Sequence, residues 1–194
     1  MIEATPEAIP HRPATLPGDA ARQARVGPMI RVNQAGELGA REIYRGQIAV
    51  LKDHPCAPVL VEMAEQENEH LAAFDKLIAE RGVRPTALSP IWRLAGYALG
   101  AGSALLGERA AMATTVAVED VIEEHYQKQL DALDSLDEGD EAELRQLIAE
   151  FRADELKHRD VALENGAEDA PAYQILSRSV KSGTRLAIWL AERV

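Results

Sequence analysis

The stretch from Leu60 to Leu77 constrains the fold more than any other part of the sequence. Read at helical spacing, Leu60, Met63, Glu67, His70, Phe74 and Leu77 fall on one face, three and four residues apart. The two ends of that face are apolar, and its centre is a Glu-x-x-His pair. Three other stretches repeat the pattern. One gives Ile30, Glu37, Tyr44, Ile48 and Leu51, another Met112, Val116, Glu119, Ile122, Tyr126 and Leu133, and the last Leu144, Ile148, Phe151, Glu155, His158 and Ala162. Each long amphipathic helix thus carries a glutamate midway along the face that a helical bundle buries.

The rest of the sequence fits an all-α chain. Aromatic residues make up only 4%, no run alternates with a period of two, and Ala, Leu, Glu, Arg and Gln dominate long stretches. Proline and glycine set the expected boundaries. The first helix runs over 30–52 and ends at Asp53-His54-Pro55. The second covers 58–80 and stops at Gly82. The most apolar stretch, 90–107, is interrupted by Gly96, Gly100 and Gly102 and leads into a long helix over 108–136. After a turn at Asp137-Glu138-Gly139-Asp140, a fourth long helix reaches about residue 164, and a short one ends near Ala191.

Residues 1–25, with Pro6, Pro10, Pro13 and Pro17 and no apolar periodicity, read as an extended or disordered arm. Residues 26–194 read as one domain built from two helical-pair repeats. A chain of 194 residues with 46% hydrophobic content has room for one sizeable core. Its net charge of -11 argues against a nucleic-acid surface. The single cysteine, Cys56, excludes an internal disulfide or a rubredoxin-type or zinc-ribbon cluster. With no signal-peptide core and with Glu3, Glu7 and Asp19 in the arm, a bacterial cytoplasmic setting is expected.

Four carboxylates in one core demand compensation, because each loses several kcal/mol of solvation and repels the others. Arg41 leans toward the Glu37 face, but it is one cation against four anions. Two divalent cations would balance the charge, and His70 and His158, each one turn beyond a glutamate, would complete their ligation. One glutamate from each of two helices and a Glu-x-x-His from each of the other two is the ligand pattern of ferritin-like di-metal bundles. Oxygen-rich ligation without sulfur suits iron or manganese better than copper or zinc. Any one of these residues alone reads equally well as a flanking glutamate or a hydrogen-bonded core histidine; the coincidence of all six is what carries the metal reading.

The chain also resembles the di-iron demethoxyubiquinone hydroxylases of ubiquinone biosynthesis, from about Arg31 onward. The resemblance runs through Arg31-Val32-Asn33-Gln34-Ala35-Gly36-Glu37, the glycine-rich run from Ala98 to Gly107, Thr115-Val116-Ala117-Val118-Glu119 and Glu155-Leu156-Lys157-His158. It implies a ferritin-like bundle with two iron ions, one held by Glu37, Glu67 and His70 and the other by Glu119, Glu155 and His158, with Glu67 and Glu155 bridging. The implied activity is a monooxygenase that uses dioxygen to hydroxylate the ring of 2-polyprenyl-3-methyl-6-methoxy-1,4-benzoquinone, with NADH as the ultimate reductant. His125 and Tyr126 match the family too, which implies proton or electron transfer near the quinone. Tyr126 as a hydrogen-bonded core aromatic and His125 as a surface residue is the plainer alternative. Asn33-Gln34 departs from the family's more acidic, histidine-containing sequence at that position.

A polyprenyl quinone resides in a bilayer, so the apolar stretch 91–106 acquires a role. It is too short to span, but it can lie in the interface with Trp92 and Tyr97 near the headgroups, helped by Ile188, Trp189 and Leu190. This predicts peripheral association with the cytoplasmic face of the bacterial inner membrane, as a homo-oligomer or in a ubiquinone-biosynthesis complex. Alternatively these helices cap the bundle or form a dimer face through Gly96-x-x-x-Gly100. Two functional rivals stand beside the hydroxylase: a ferritin-like or rubrerythrin-like iron oxidase or peroxide scavenger with the same six ligands, and a non-enzymatic helical module.

Overall fold

The computed structural model describes residues 19–136 and 141–194. These form α1 (Asp19–Leu51), α2 (Ala57–Arg81), α3 (Ser89–Leu105), α4 (Glu108–Asp134), α5 (Ala142–Glu164), a 3-10 turn (Ala167–Asp169) and α6 (Tyr173–Ala191), with no strand among the described residues. α1 packs on α2 and α4 on α5, which makes a four-helix bundle; α3 lies along α1 and α6 along α4. The fold is all-α and ferritin-like, as the four stripes predict.

Two boundaries differ from the sequence expectation. α1 starts at Asp19, so residues 19–25 are helical and not part of an extended arm; the remainder of that arm, like the turn at 137–140, lies outside the described residues. Pro28 sits inside this helix. A mid-helix proline costs about 3 kcal/mol, but Val26 and Ile30 on either side are each buried to 1% exposure against the core. Burial of two such side chains offsets that cost. The second difference is that the apolar stretch is a separate helix. Gly107 has φ 107, outside the helical region, so the chain turns there and α4 begins afresh at Glu108.

Two apolar clusters fill the bundle. One gathers Ile30, Phe74, Ile122, Tyr126, Leu133 and Ile148, and the other Tyr44, Leu60, Met63, Met112, Val116 and Ala162. Glu67 lies between Met63 and Phe74 along α2, and Glu119 between Val116 and Ile122 along α4. The polar residues therefore occupy a layer between two dry ends.

α3 touches α1 backbone to backbone. A carbon added to Gly100 would lie 1.9 Å from the Ile43 carbonyl oxygen, and one on Gly46 would lie 2.3 Å from that of Tyr97. One on Gly96 would lie 2.7 Å from the Gly39 carbonyl oxygen. The Gly96-x-x-x-Gly100 face is thus occupied within the chain, and the dimer-face role considered for it is not available. Because only backbone surrounds the added carbon, Gly100→Ala should destabilise the fold by about 3 kcal/mol in chemical denaturation, the upper range for overpacking. Gly102→Ala, with nothing within 4 Å of the added carbon, should be neutral or stabilising by up to about 1 kcal/mol.

Candidate metal centre

α1 brings Glu37 to the centre of the bundle, α2 brings Glu67 and His70, α4 brings Glu119, and α5 brings Glu155 and His158. None is more than 2% exposed. Ligand atoms of Glu37, Glu67, His70 and Glu155 lie within 4.8 Å of one another, as do those of Glu67, Glu119, Glu155 and His158. Glu67 and Glu155 belong to both groups. All six residues singled out from the sequence meet at this centre.

The histidines present the same nitrogen inward. His70 Nδ1 is 3.5 Å from Glu37 Oε2 and 3.3 Å from Glu155 Oε1; His158 Nδ1 is 3.2 Å from Glu67 Oε1 and 3.3 Å from Glu155 Oε2. Their outward Nε2 atoms have different partners. His158 Nε2 is 2.6 Å from Gln66 Oε1, and His70 Nε2 is 3.4 Å from Asp154 Oδ2. Such partners fix the ring orientation and leave Nδ1 free to ligate. Two tyrosines hold the outer carboxylates: Tyr44 donates to Glu119 Oε1 at 2.7 Å, and Tyr126 donates to Glu37 Oε1. The arrangement is close to two-fold, since Gln66 and Asp154 each directly precede a shared glutamate.

A metal fits this donor set. Both oxygens of Glu67 and of Glu155, Glu37 Oε2, Glu119 Oε2 and the Nδ1 atoms of both histidines are buried without a hydrogen-bond partner. Each such atom costs about 1–3 kcal/mol or more, and all eight converge on one small volume. Arg41 does not relieve them. Its guanidinium pairs with Glu42 at 2.7 Å. Hard oxygen donors with two imidazoles are the ligands of iron or manganese.

Without metal, the cluster retains protons. Burial, then the charge of Glu155, pushes Glu67 and Glu119 well above the carboxylate range. Burial works against charge on His70, but the Glu155 and Glu37 carboxylates beside its Nδ1 raise it to about 11; His158 is raised against burial by Glu155. Burial also opposes ionisation of Glu155, yet His158 and His70 hold it down to about 2.

A cavity of about 340 Å³ adjoins the centre, walled by α1, α3, α4 and α6. Glu37 and Tyr126 lie at its inner end, and Leu99, Val118, Ile122 and Ile188 make it largely apolar. Trp92 also lines it and is half-buried, so this indole turns inward and not toward the outer face expected of it. His125 lies in the cavity wall away from the carboxylates, half-buried and not a surface residue; burial lowers its pKa. Its Nε2 is 2.8 Å from Gln129 Nε2, and Gln129 in turn is paired with Asn33.

Gln66, Asp154, Tyr44, Asn33 and Gln129 serve the site beyond the residues expected from the sequence. The first two are signalled by position, each one residue before a Glu-x-x-His glutamate. Tyr44 lies on the buried stripe of α1, but its partner is on α4. Nothing in sequence spacing joins Asn33 to Gln129.

These shifts set the pH response of the metal-free protein. Groups with raised pKa values, Glu67, Glu119, His70 and His158, contribute stability that is complete below their unfolded values and lost as pH rises through the folded ones. Glu155 acts oppositely, and its contribution is lost only as pH falls from 4.5 toward 2. The melting temperature of metal-free protein should therefore fall from about pH 5 to about pH 9. Metal loading should remove that slope, since ligation requires the deprotonated forms. Differential scanning fluorimetry of both forms checks this; a rising metal-free curve contradicts it.

Comparison with known proteins agrees with this geometry. Residues 24–191 match the family model described as ubiquinone biosynthesis protein COQ7. Similar relatives include the 3-demethoxyubiquinol 3-hydroxylase of Rhodospirillum rubrum, 52% identical over 180 residues that cover 92% of this chain and 83% of the relative. The mitochondrial NADPH-dependent 3-demethoxyubiquinone 3-hydroxylase of Dictyostelium discoideum is 54% identical over 167 residues (86% of this chain, 76% of the relative). The human mitochondrial protein of that name is 48% identical over 172 residues (89% of this chain, 79% of the relative). By sequence, fold and site, the chain belongs to the COQ7 family of ubiquinone biosynthesis proteins.

Proposed function

We propose that the protein is a di-iron monooxygenase that hydroxylates the ring of 2-polyprenyl-3-methyl-6-methoxy-1,4-benzoquinone, demethoxyubiquinone, in ubiquinone biosynthesis. The observation that carries this reading is the apolar cavity ending on Glu37 and Tyr126, because an iron store or peroxide scavenger needs no space for an organic ring beside its metal. The relatives bear the matching names, 3-demethoxyubiquinol 3-hydroxylase and 3-demethoxyubiquinone 3-hydroxylase.

Two irons held by Glu37, Glu67, His70, Glu119, Glu155 and His158 would supply dioxygen activation, with one oxygen atom entering the ring and the other leaving as water on delivery of two electrons and two protons. The chain's own groups do the rest. Tyr44 and Tyr126 hold the outer carboxylates in place, and Gln66 and Asp154 orient the imidazoles. The apolar wall excludes water and lays a flat ring against Glu37 and Tyr126, while His125 offers a polar contact from the side. NADH is the ultimate reductant in this reading; the mitochondrial relatives are named for NADPH, so both belong in the assay.

The substrate's polyprenyl tail places the protein on a lipid surface, here read as the cytoplasmic face of a bacterial inner membrane, alone, as a homo-oligomer or with other enzymes of the pathway. No helix of the described residues is long and apolar enough to cross a membrane. Two of the helices that wall the cavity instead expose large apolar side chains, Leu94 and Leu105 on α3, with Leu106 just beyond its end, and Ile175, Leu186 and Trp189 on α6, all of them more than half exposed. Such a face buries in the headgroup boundary.

Iron-loaded protein supplied with a demethoxyquinone, NADH or NADPH, and heavy-isotope dioxygen should yield a ring hydroxyl carrying the label by mass spectrometry, and Glu155→Ala should reduce it to background. Dioxygen consumption without labelled product would transfer the assignment to an iron oxidase or peroxide scavenger of this fold. In vesicle co-sedimentation, the double variant Leu94→Glu, Trp189→Glu should lose most of its binding, by about 2–3 kcal/mol of apolar transfer. Unchanged binding of the folded variant would remove these helices as the contact.

A further inference from the structure

We propose that Gln129 and Asn33 are positioning residues that hold His125 as a neutral imidazole with its proton on Nδ1, making it a fixed hydrogen-bond donor to a carbonyl oxygen of the ring bound in the cavity. The donor role rests on the quinone reading above; the tautomer does not.

Gln129 lies one turn beyond His125 on α4, and its amide nitrogen is 2.8 Å from His125 Nε2. An amide nitrogen can only donate. His125 Nε2 is then the acceptor, and the single proton of the neutral ring belongs on Nδ1. A lone glutamine could turn its oxygen toward the ring and reverse this assignment. Asn33, across the α1–α4 contact, couples the two amides so that neither turns without the other. Its Nδ2 donates to Gln129 Oε1 at 2.7 Å, while Gln129 Nε2 donates to Asn33 Oδ1 at 2.8 Å. Turning either amide alone would set two oxygens and two N–H groups face to face in a pair that is 3% and 5% exposed. Unsatisfied buried groups of that kind cost about 1–3 kcal/mol each.

The identity of residue 33 matters for the same reason. An acidic side chain there could accept from Gln129 but donate nothing to its oxygen, so Gln129 could turn. The asparagine of this chain closes the pair. Around the ring, Lys128 disfavours the charged form and Glu192 favours it, while burial, the largest influence, keeps it neutral. His125 and Asn33 both line the cavity that ends on Glu37, and Glu37 is one turn beyond Asn33 on α1.

Nitrogen-15 NMR of metal-free protein with labelled histidine reads the tautomer directly. Wild-type His125 should show a protonated Nδ1 and a bare Nε2 near neutral pH. Gln129→Glu, nearly the same shape but an acceptor, should move the proton to Nε2, and Asn33→Asp should give a mixture, with helical circular dichroism unchanged in both. In the labelled-dioxygen assay, Gln129→Glu should lower kcat about 100-fold with KM within about twofold, and Asn33→Asp should fall between it and wild type. A wild-type proton on Nε2, or a tautomer indifferent to Gln129→Glu, overturns the positioning role. A shifted tautomer with unaltered kcat overturns the donor role. No labelled product from wild-type protein would instead remove the hydroxylase reading, and the tautomer result would still decide the function of the amide pair.

Discussion

Four carboxylates buried in one dry layer are the constraint around which the rest of this molecule is arranged. Each is on a different helix, so their mutual repulsion is a force between helices and not within one. Cations at the centre would turn that repulsion into a tie between the four helices. The surrounding groups follow from it. Tyr44 and Tyr126 satisfy one oxygen of each outer carboxylate and leave the other oxygen unpartnered, and Gln66 and Asp154 take the far side of each imidazole. The apolar clusters above and below keep water from competing for the same atoms.

Around that layer the chain is two-fold in pattern but not in surroundings. Glu119 faces Tyr44 and a filled core that includes Met63 and Met112. Glu37 faces Tyr126 and an open apolar cavity. The difference comes from α3 and α6, which stand against the Glu37 side of the bundle and enclose space there without filling it. α1 links that side, since it carries Asn33 and Glu37 one turn apart and, farther along, the Gly46 on which α3 seats.

What could be read from the sequence was what repeats with helical period. Glu67 and His70 announce themselves because polar residues mid-stripe contradict the pattern around them, and the same holds for Glu155 and His158. Glycine at residue 107 marks a break that the apolar stretch before it obscures. The start of α1 was hidden because Pro28 signals a boundary locally, while the burial that overrides it comes from residues far along the chain, Val83 and Leu144 among them. The amide pair of Asn33 and Gln129 was out of reach for a related reason: two polar side chains from different helices identify each other only once the helices are docked. The inward turn of Trp92 likewise depends on α1 and α6 being docked, because it packs on the cluster that Val32 and Ala35 form with Ala191.

The attachment of α3 has a consequence for where this protein can work. Hydrophobic association weakens when the alternative to burial is lipid and not water, because acyl chains solvate leucine as well as another leucine does. A helix held to its bundle mainly by buried apolar area would be free to drift off into a bilayer that wets its outer face. α3 is held differently, by backbone seated against backbone at Gly46, Gly96 and Gly100, where the attraction is close van der Waals contact that no lipid chain can reproduce. Its grip is therefore indifferent to the solvent on its other side, and the same wall can face water or oil without opening the bundle.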